Sequence, residues 1–259
     1  MINVIIFSKD RACQLDAFLR SYYKWTNGPD PTVIYIYSSH AFKEGYDKLK
    51  HDFSDVNWIF QNNFKQDLLN SIKNKTFTVF FVDDIVFKSN FDFDYSNILL
   101  EDSSVLCLSL RLSPLINYCY ALNIPSPPPD FGSNCTWSWQ GKRGDWGYPM
   151  SADGHIFRTN EILPLLKQLD YRNPNTLESE MAGRPLSNPK MACLDKHPIF
   201  NIPHNLVQTE WHNRHYNGLS ASDLNDKYLL DKEIDIDYLA SIQNNSCHYD
   251  VDYKFNTKF

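Results

Sequence analysis

Residues 77–84 read Phe77-Thr78-Val79-Phe80-Phe81-Val82-Asp83-Asp84. The first six are β-branched or aromatic, and the pattern predicts a strand covered on both faces. Two adjacent carboxylates close it. The segments upstream fit the same plan. Residues 2–7 (INVIIF) form another unbroken apolar run, followed by the loop Ser8-Lys9-Asp10-Arg11. Leu15, Phe18, Leu19 and Tyr22 then recur at helical spacing, which predicts a helix over 12–25. Asn27-Gly28-Pro29-Asp30-Pro31 is a turn. Strands are expected at 32–38 and 56–60, and helices at 42–51 and 64–72. This alternation predicts an α/β fold with a parallel, doubly wound sheet over residues 1 to about 110. In such sheets ligands bind beyond the carboxyl ends of the strands. Ser8 to Arg11, Ser38 to His40 and Asp83-Asp84 should therefore converge.

The second half has another character. Residues 123–150 hold Pro125, Pro127, Pro128, Pro129 and Pro149 together with Trp137, Trp139 and Trp146. Prolines at this density argue against helix and strand. The expectation is a long aromatic loop over the crevice, its tryptophans stacking on donor or acceptor. A strand is expected at 154–159, a helix at 161–169 with Pro164 in its first turn, a helix from Leu177, and a short strand at 198–203. A capped helix opens at Ser220.

Composition narrows the function. The 259 residues suffice for one large α/β domain or two lobes on one core. A net charge of −6 supplies no basic excess for nonspecific nucleic-acid binding. It suits solubility, or a negatively lined pocket that takes up a divalent cation. The six cysteines form no CxxC pair, so zinc-finger and thioredoxin patterns are absent. The first strand starts at once, with no basic segment and apolar stretch before it, and no run approaches a membrane span. A reducing cytoplasm and free thiols are expected, with peripheral membrane attachment left open.

Asp83-Asp84 is the sharpest chemical feature. Burial and mutual repulsion of the pair need an offset, and hard oxygen ligands suit Mg2+ or Mn2+. The alternative is a solvated turn that happens to hold two acids. Arg11, between a strand and a helix N-terminus, is placed to pair with phosphate, or to make a surface salt bridge. Asp153, in Ser151-Ala152-Asp153-Gly154-His155, is placed to accept a proton from a hydroxyl. Glu178 and Glu180 are read either as site acids or as first-turn acids that favour the helix dipole. His204, Asn205, Gln208, His212 and His215 cluster without any zinc-site spacing.

Five stretches carry a resemblance: FSKDRACQLDAFLRSY (7–22), FFVDDIVFK (80–88), DWGYPMSADGHIFRT (145–159), NPNTLESEM (173–181) and NIPHNLVQ (201–208). In this order they resemble bacterial GT-A-type glycosyltransferases related to family 2. The resemblance implies a Rossmann-type, mostly parallel sheet with helices on both faces. It implies a nucleotide-sugar half at 1–110, a smaller acceptor half at 111–219, and a helical tail at 220–259. It implies a nucleotide-diphosphate sugar held by Ser8, Lys9, Asp10, Arg11, Asp83 and Trp146. A saccharide acceptor would meet Trp137, Trp139, Asp145 and His155. Mn2+ or Mg2+ would sit on Asp84 and His204, with Asp153 or Glu178 as base. The family's Asp-x-Asp falls on Asp83, Asp84 and Ile85, so its third carboxylate is missing. The implied activity is sugar transfer to a glycan in surface polysaccharide or glycoconjugate synthesis. A nucleotidyltransferase would need a Gly-rich basic signature near the first strand, which is absent. A non-catalytic carbohydrate-binding relative is the other alternative.

Overall fold

The computed structural model describes residues 1–210 and 214–258, so His212 lies outside the described residues. The chain runs β1 (Ile2–Lys9), α1 (Ala12–Trp25), β2 (Thr32–Ile36), α2 (His40–Asp52), β3 (Asn57–Phe60), α3 (Phe64–Ser71), β4 (Phe77–Val82), β5 (Ile85–Phe87), α4 (Ile98–Glu101) and β6 (Val105–Ser109). It continues with β7 (Tyr118–Cys119), β8 (Ile124–Pro125), β9 (Thr136–Ser138), β10 (His155–Arg158), α5 (Thr159–Gln168), α6 (Pro174–Gly183), β11 (Lys190–Cys193) and β12 (Ile199–Asn201). The last elements are α7 (Ala221–Leu229), β13 (Lys232–Ile234), α8 (Ile236–Ala240) and β14 (Phe255–Thr257).

Eight strands form one sheet in the order β3-β2-β1-β4-β10-β6-β11-β9. The first four are parallel neighbours, as the apolar runs predict. Strand β10 enters antiparallel between β4 and β6, and β9 pairs antiparallel on the far edge. Side-chain alternation along β1 explains the buried pattern. Val4 and Ile6 join the core under α1 and α2, while Ile5 and Phe7 join the opposite core under α3, α5 and α6. Both faces are covered, so no position on β1 is free to be polar except near its ends.

Local chemistry sets the later boundaries. Asn173 accepts from the Thr176 N–H and Pro174 occupies the first helical position, so α6 begins three residues before Leu177. Glu178 therefore stands in the second turn, and the dipole reading does not apply to it. Helix α5 starts at Thr159, which puts Pro164 in its second turn rather than its first. Residues 220–259 are more than a helical tail: β13 pairs with β14, and α7 packs on α1 and α2. Between α8 and β14 the chain runs beside β12, itself paired with β5, where Asn201 N–H donates to Cys247 O at 2.9 Å and Tyr249 N–H to Asn201 O at 3.0 Å. Among the described residues, no helix is long and apolar enough to cross a membrane.

Gly154 makes the entry of β10 possible. Its N–H donates to Phe80 O and its carbonyl accepts from Leu110 N–H, at φ +72°. A Cβ there would stand 2.3 Å from Ile199 Cδ1. We expect Gly154→Ala to lose about 2 kcal/mol, a fall in Tm of roughly 4–8 °C. Gly183→Ala, which meets open space, should change stability by less than about 0.5 kcal/mol. Equal thermal shifts for the two variants would contradict this account.

Candidate active site

A cleft of about 880 Å3 opens beyond the carboxyl ends of β1, β2 and β4. Its floor carries Asp83, Asp84, Asp145, Asp153 and Glu178 against the guanidinium groups of Arg11 and Arg111. Lys9, Asn201, Asn205 and His248 also line it.

Arg11 is the counterion of the aspartate pair. Its Nη1 lies 3.0 Å from Asp83 Oδ1 and 3.2 Å from Asp84 Oδ2. Its Nε donates to Asn205 Oδ1 at 2.9 Å and its Nη2 to Asn205 O. So Arg11, expected to grip phosphate, spends its donors inside the protein. Asp83 is saturated too: Oδ2 accepts from Ser8 Oγ at 2.9 Å and from Lys9 N–H at 3.1 Å. Burial raises the Asp83 pKa to about 6, with Arg11 opposing and Asp84 adding to the rise. Asp84 is less enclosed. Asn201 Nδ2 donates to its Oδ1 at 3.2 Å, and its pKa is raised by burial and by Asp153, with Arg11 opposing.

Arg111 organises the other wall, and the sequence reading missed it. It is 3% exposed, two residues beyond the end of β6. Nη1 lies 3.3 Å from Asp153 Oδ2, and Nη2 lies 3.3 Å from Asp145 Oδ1. Burial and Glu178 lift the Asp153 pKa to about 7, with Arg111 opposing. Glu178 Oε1 accepts from Ser151 Oγ at 2.9 Å and from Ala152 N–H at 3.4 Å, so it braces the turn that presents Asp153. Its own pKa is also raised by burial. His248, likewise unforeseen, puts Nε2 3.7 Å from Asp153 Oδ2, and burial and Arg111 lower its pKa to about 4.

Other expected contacts lie elsewhere. Trp137 and Trp146 are buried edge to face at 5.1 Å, and their indole N–H groups donate to Trp146 O and Ser126 O. Trp139 donates to Asn188 O. None of the three lines the cleft, so the proline-rich segment packs its tryptophans as core rather than as sugar platforms. His155 is fully buried, with Nδ1 at Pro149 O. His204 engages both ring nitrogens, Nδ1 with Val251 O and Nε2 with Leu219 N–H, and offers none to a metal. Asp10, at φ +56°, accepts from Ser38 N–H at 2.7 Å and ties the β1 loop to the end of β2.

At Asp84 a hard divalent cation would meet carboxylate oxygen, with Asn201 beside it. Asn201 Oδ1 and His248 Nδ1 are buried without partners among the described residues, beside acids that outnumber the arginines. No group of three His, Cys, Asp or Glu side chains among the described residues suffices alone. An ion there needs further oxygens from a ligand.

The raised Asp153 pKa has a stability consequence. Folded Asp153 holds its proton more tightly than the unfolded chain, whose ordinary value is 3.8. That contribution is present at low pH and is lost as pH rises from about 4 through 7. Asp153→Asn should gain on wild type across this window, by on the order of 2 kcal/mol. The difference between the two is what matters, because His248 tilts the absolute curve the other way. Paired denaturant melts at pH 4.5 and 7.5 check it; a difference that ignores pH would refute the assignment.

No family model matches the chain. Over 277 aligned residues it is 29% identical to the bifunctional glycosyltransferase pgtA of Dictyostelium discoideum, covering 90% of this chain and 36% of that protein. The mannosyltransferase PcManGT from Pyrobaculum calidifontis, solved in complex with GDP-Man and Mn2+, is similar with a TM-score of 0.42 at 11% identity, over 75% of this chain and 54% of that one. The WbbM bifunctional glycosyltransferase gives 0.35 at 14% identity, over 70% and 37%. The chain thus resembles, over most of its own length, about a third of a bifunctional glycosyltransferase.

Proposed function

We propose that this chain transfers a sugar from a nucleotide-diphosphate donor to a saccharide hydroxyl within the cleft. The observation that carries the reading is Asp153, a buried acid with a pKa near neutrality at the carboxyl-end crevice of a parallel sheet. The similarity to a bifunctional glycosyltransferase supports it.

In this reading Lys9 and the N-terminus of α1 face the donor's diphosphate. Arg11, Asp83 and Ser8 hold that loop. Asp84, with Asn201 beside it, would hold Mn2+ or Mg2+. The ion supplies positive charge against the departing nucleoside diphosphate. Asp153 takes the proton of the acceptor hydroxyl. The freed oxygen bonds to the anomeric carbon as the bond from that carbon to the phosphate oxygen breaks, with inversion. Glu178 keeps the turn of Asp153 in place. The acceptor is a glycan of a surface polysaccharide or glycoconjugate, made in the cytoplasm, and any membrane contact is peripheral.

Purified protein assayed with a panel of nucleotide sugars and Mn2+ should release nucleoside diphosphate from one donor. EDTA should reduce that release tenfold or more. Asp153→Asn should lower kcat by about 10²–10⁴-fold with donor KM changed only a few-fold. Binding without turnover would favour the non-catalytic relative. If no nucleotide sugar binds, the proposal fails.

A further inference from the structure

We infer that Cys135 and Cys193 are a modification site, at which a small-molecule disulfide such as oxidised glutathione closes a bond across the edge of the sheet. The two thiols lie outside the cleft lining, and the bond does not depend on the proposed reaction.

Strands β9 and β11 run antiparallel, with Trp137 opposite Met191 and Thr136 opposite Ala192. One step further in the same register sets Cys135, just before β9, opposite Cys193, the last residue of β11. Directly opposed residues of an antiparallel pair have Cα atoms about 4.5–5.5 Å apart, inside the range of roughly 4.4–6.8 Å that a disulfide spans. The side chains meet as well. Cys193 Sγ lies 3.8 Å from Cys135 O, and the two thiols are within reach of each other, each altering the other's acidity. Both join the core cluster that holds Trp137 and Met191. Cys107 and Cys247 instead direct their thiols at the carbonyls of Pro149 and Arg111.

Strand β9 is the edge of the sheet, so Cys135 is partly exposed while Cys193 stands buried behind it. Exchange needs that arrangement of one accessible thiol and one close by. The Cys135 thiolate attacks a sulfur of the small disulfide, which forms a mixed disulfide and releases one glutathione thiol. Cys193 then attacks the Cys135 sulfur and releases the second. Two protein thiols become one disulfide, the oxidant is reduced to two thiols, and the two protons end on those thiols. Burial pushes both protein thiols up, and Asp195, which accepts from Cys135 Sγ at 3.2 Å, adds to the rise at Cys135. The thiolate is therefore scarce near neutrality, and exchange speeds up in alkali. The bond closes the segment 135–193, which carries Asp145, Asp153 and Glu178. It restricts the unfolded chain more than the folded one, so the oxidised form is the more stable.

The full chain is incubated at pH 8.5 with oxidised glutathione or with dithiothreitol, then read by intact mass, by peptide mapping without reduction and by thermal melting. Oxidation should remove two hydrogens and join the peptides that hold Cys135 and Cys193. It should raise Tm by roughly 5 °C or more, and dithiothreitol should reverse the rise. The rate of closure should fall about tenfold for each pH unit below 8.5. Cys135→Ser should abolish both the bond and the rise, while melting within about 2 °C of the reduced wild type. A glutathione adduct that persists in place of the internal bond, no bond at all, a bond between any other pair of cysteines, or a melt that oxidation leaves unchanged overturns the inference.

Discussion

The side chain of Arg11 lies between Asp83 and Asp84 and ends on Asn205. Two adjacent carboxylates at the end of a strand buried on both faces need a cation within contact distance, and removing that cation leaves buried charge uncompensated. The one supplied comes from the loop after β1. It joins β1, β4 and the segment after β12 at one point. A second arginine repeats the arrangement across the cleft, where Arg111 serves Asp145 and Asp153. Two arginines offset five acids only in part, and four of the five, Asp83, Asp84, Asp153 and Glu178, have raised pKa values.

The consequence for the metal is specific. Asp83 already accepts three hydrogen bonds, from Arg11 on Oδ1 and from Ser8 and the Lys9 N–H on Oδ2. It ties the loop after β1 to the end of β4. Asp84 has one partner on each oxygen, Arg11 on Oδ2 and Asn201 on Oδ1, which leaves it more room to accept than Asp83, and Ile85 is fully buried where a third acid would be expected. In the proposed reading, an ion at Asp84 would depend on the donor's own oxygens, which would make metal and donor binding cooperative.

Much of this was legible in the sequence. Apolar runs at 2–7, 32–38 and 77–82 predict parallel strands because both their faces must be buried, and Asp153, singled out from its place in a small-residue turn, does line the cleft. The tryptophans were misread for a physical reason. Composition does not say whether an indole N–H will find a backbone carbonyl or a ligand, and Trp137 and Trp146 find carbonyls. His204 failed likewise, since both nitrogens are spent on backbone partners. Arg111 did leave a signal: one charge inside the apolar stretch Val105-Leu106-Cys107-Leu108-Ser109-Leu110-Arg111-Leu112. His248 left none, because its place depends on a chain return that no local pattern encodes.

The central claim is that the cleft beyond β1 and β4 holds a nucleoside diphosphate with its metal on Asp84. A crystal soaked with a nucleoside diphosphate and Mn2+, measured at the manganese edge, tests it most directly. The account predicts an anomalous peak bound by Asp84 and by a phosphate oxygen, with the diphosphate beside Lys9 and the start of α1. A peak on His204, or a nucleotide seated outside this cleft, would contradict it.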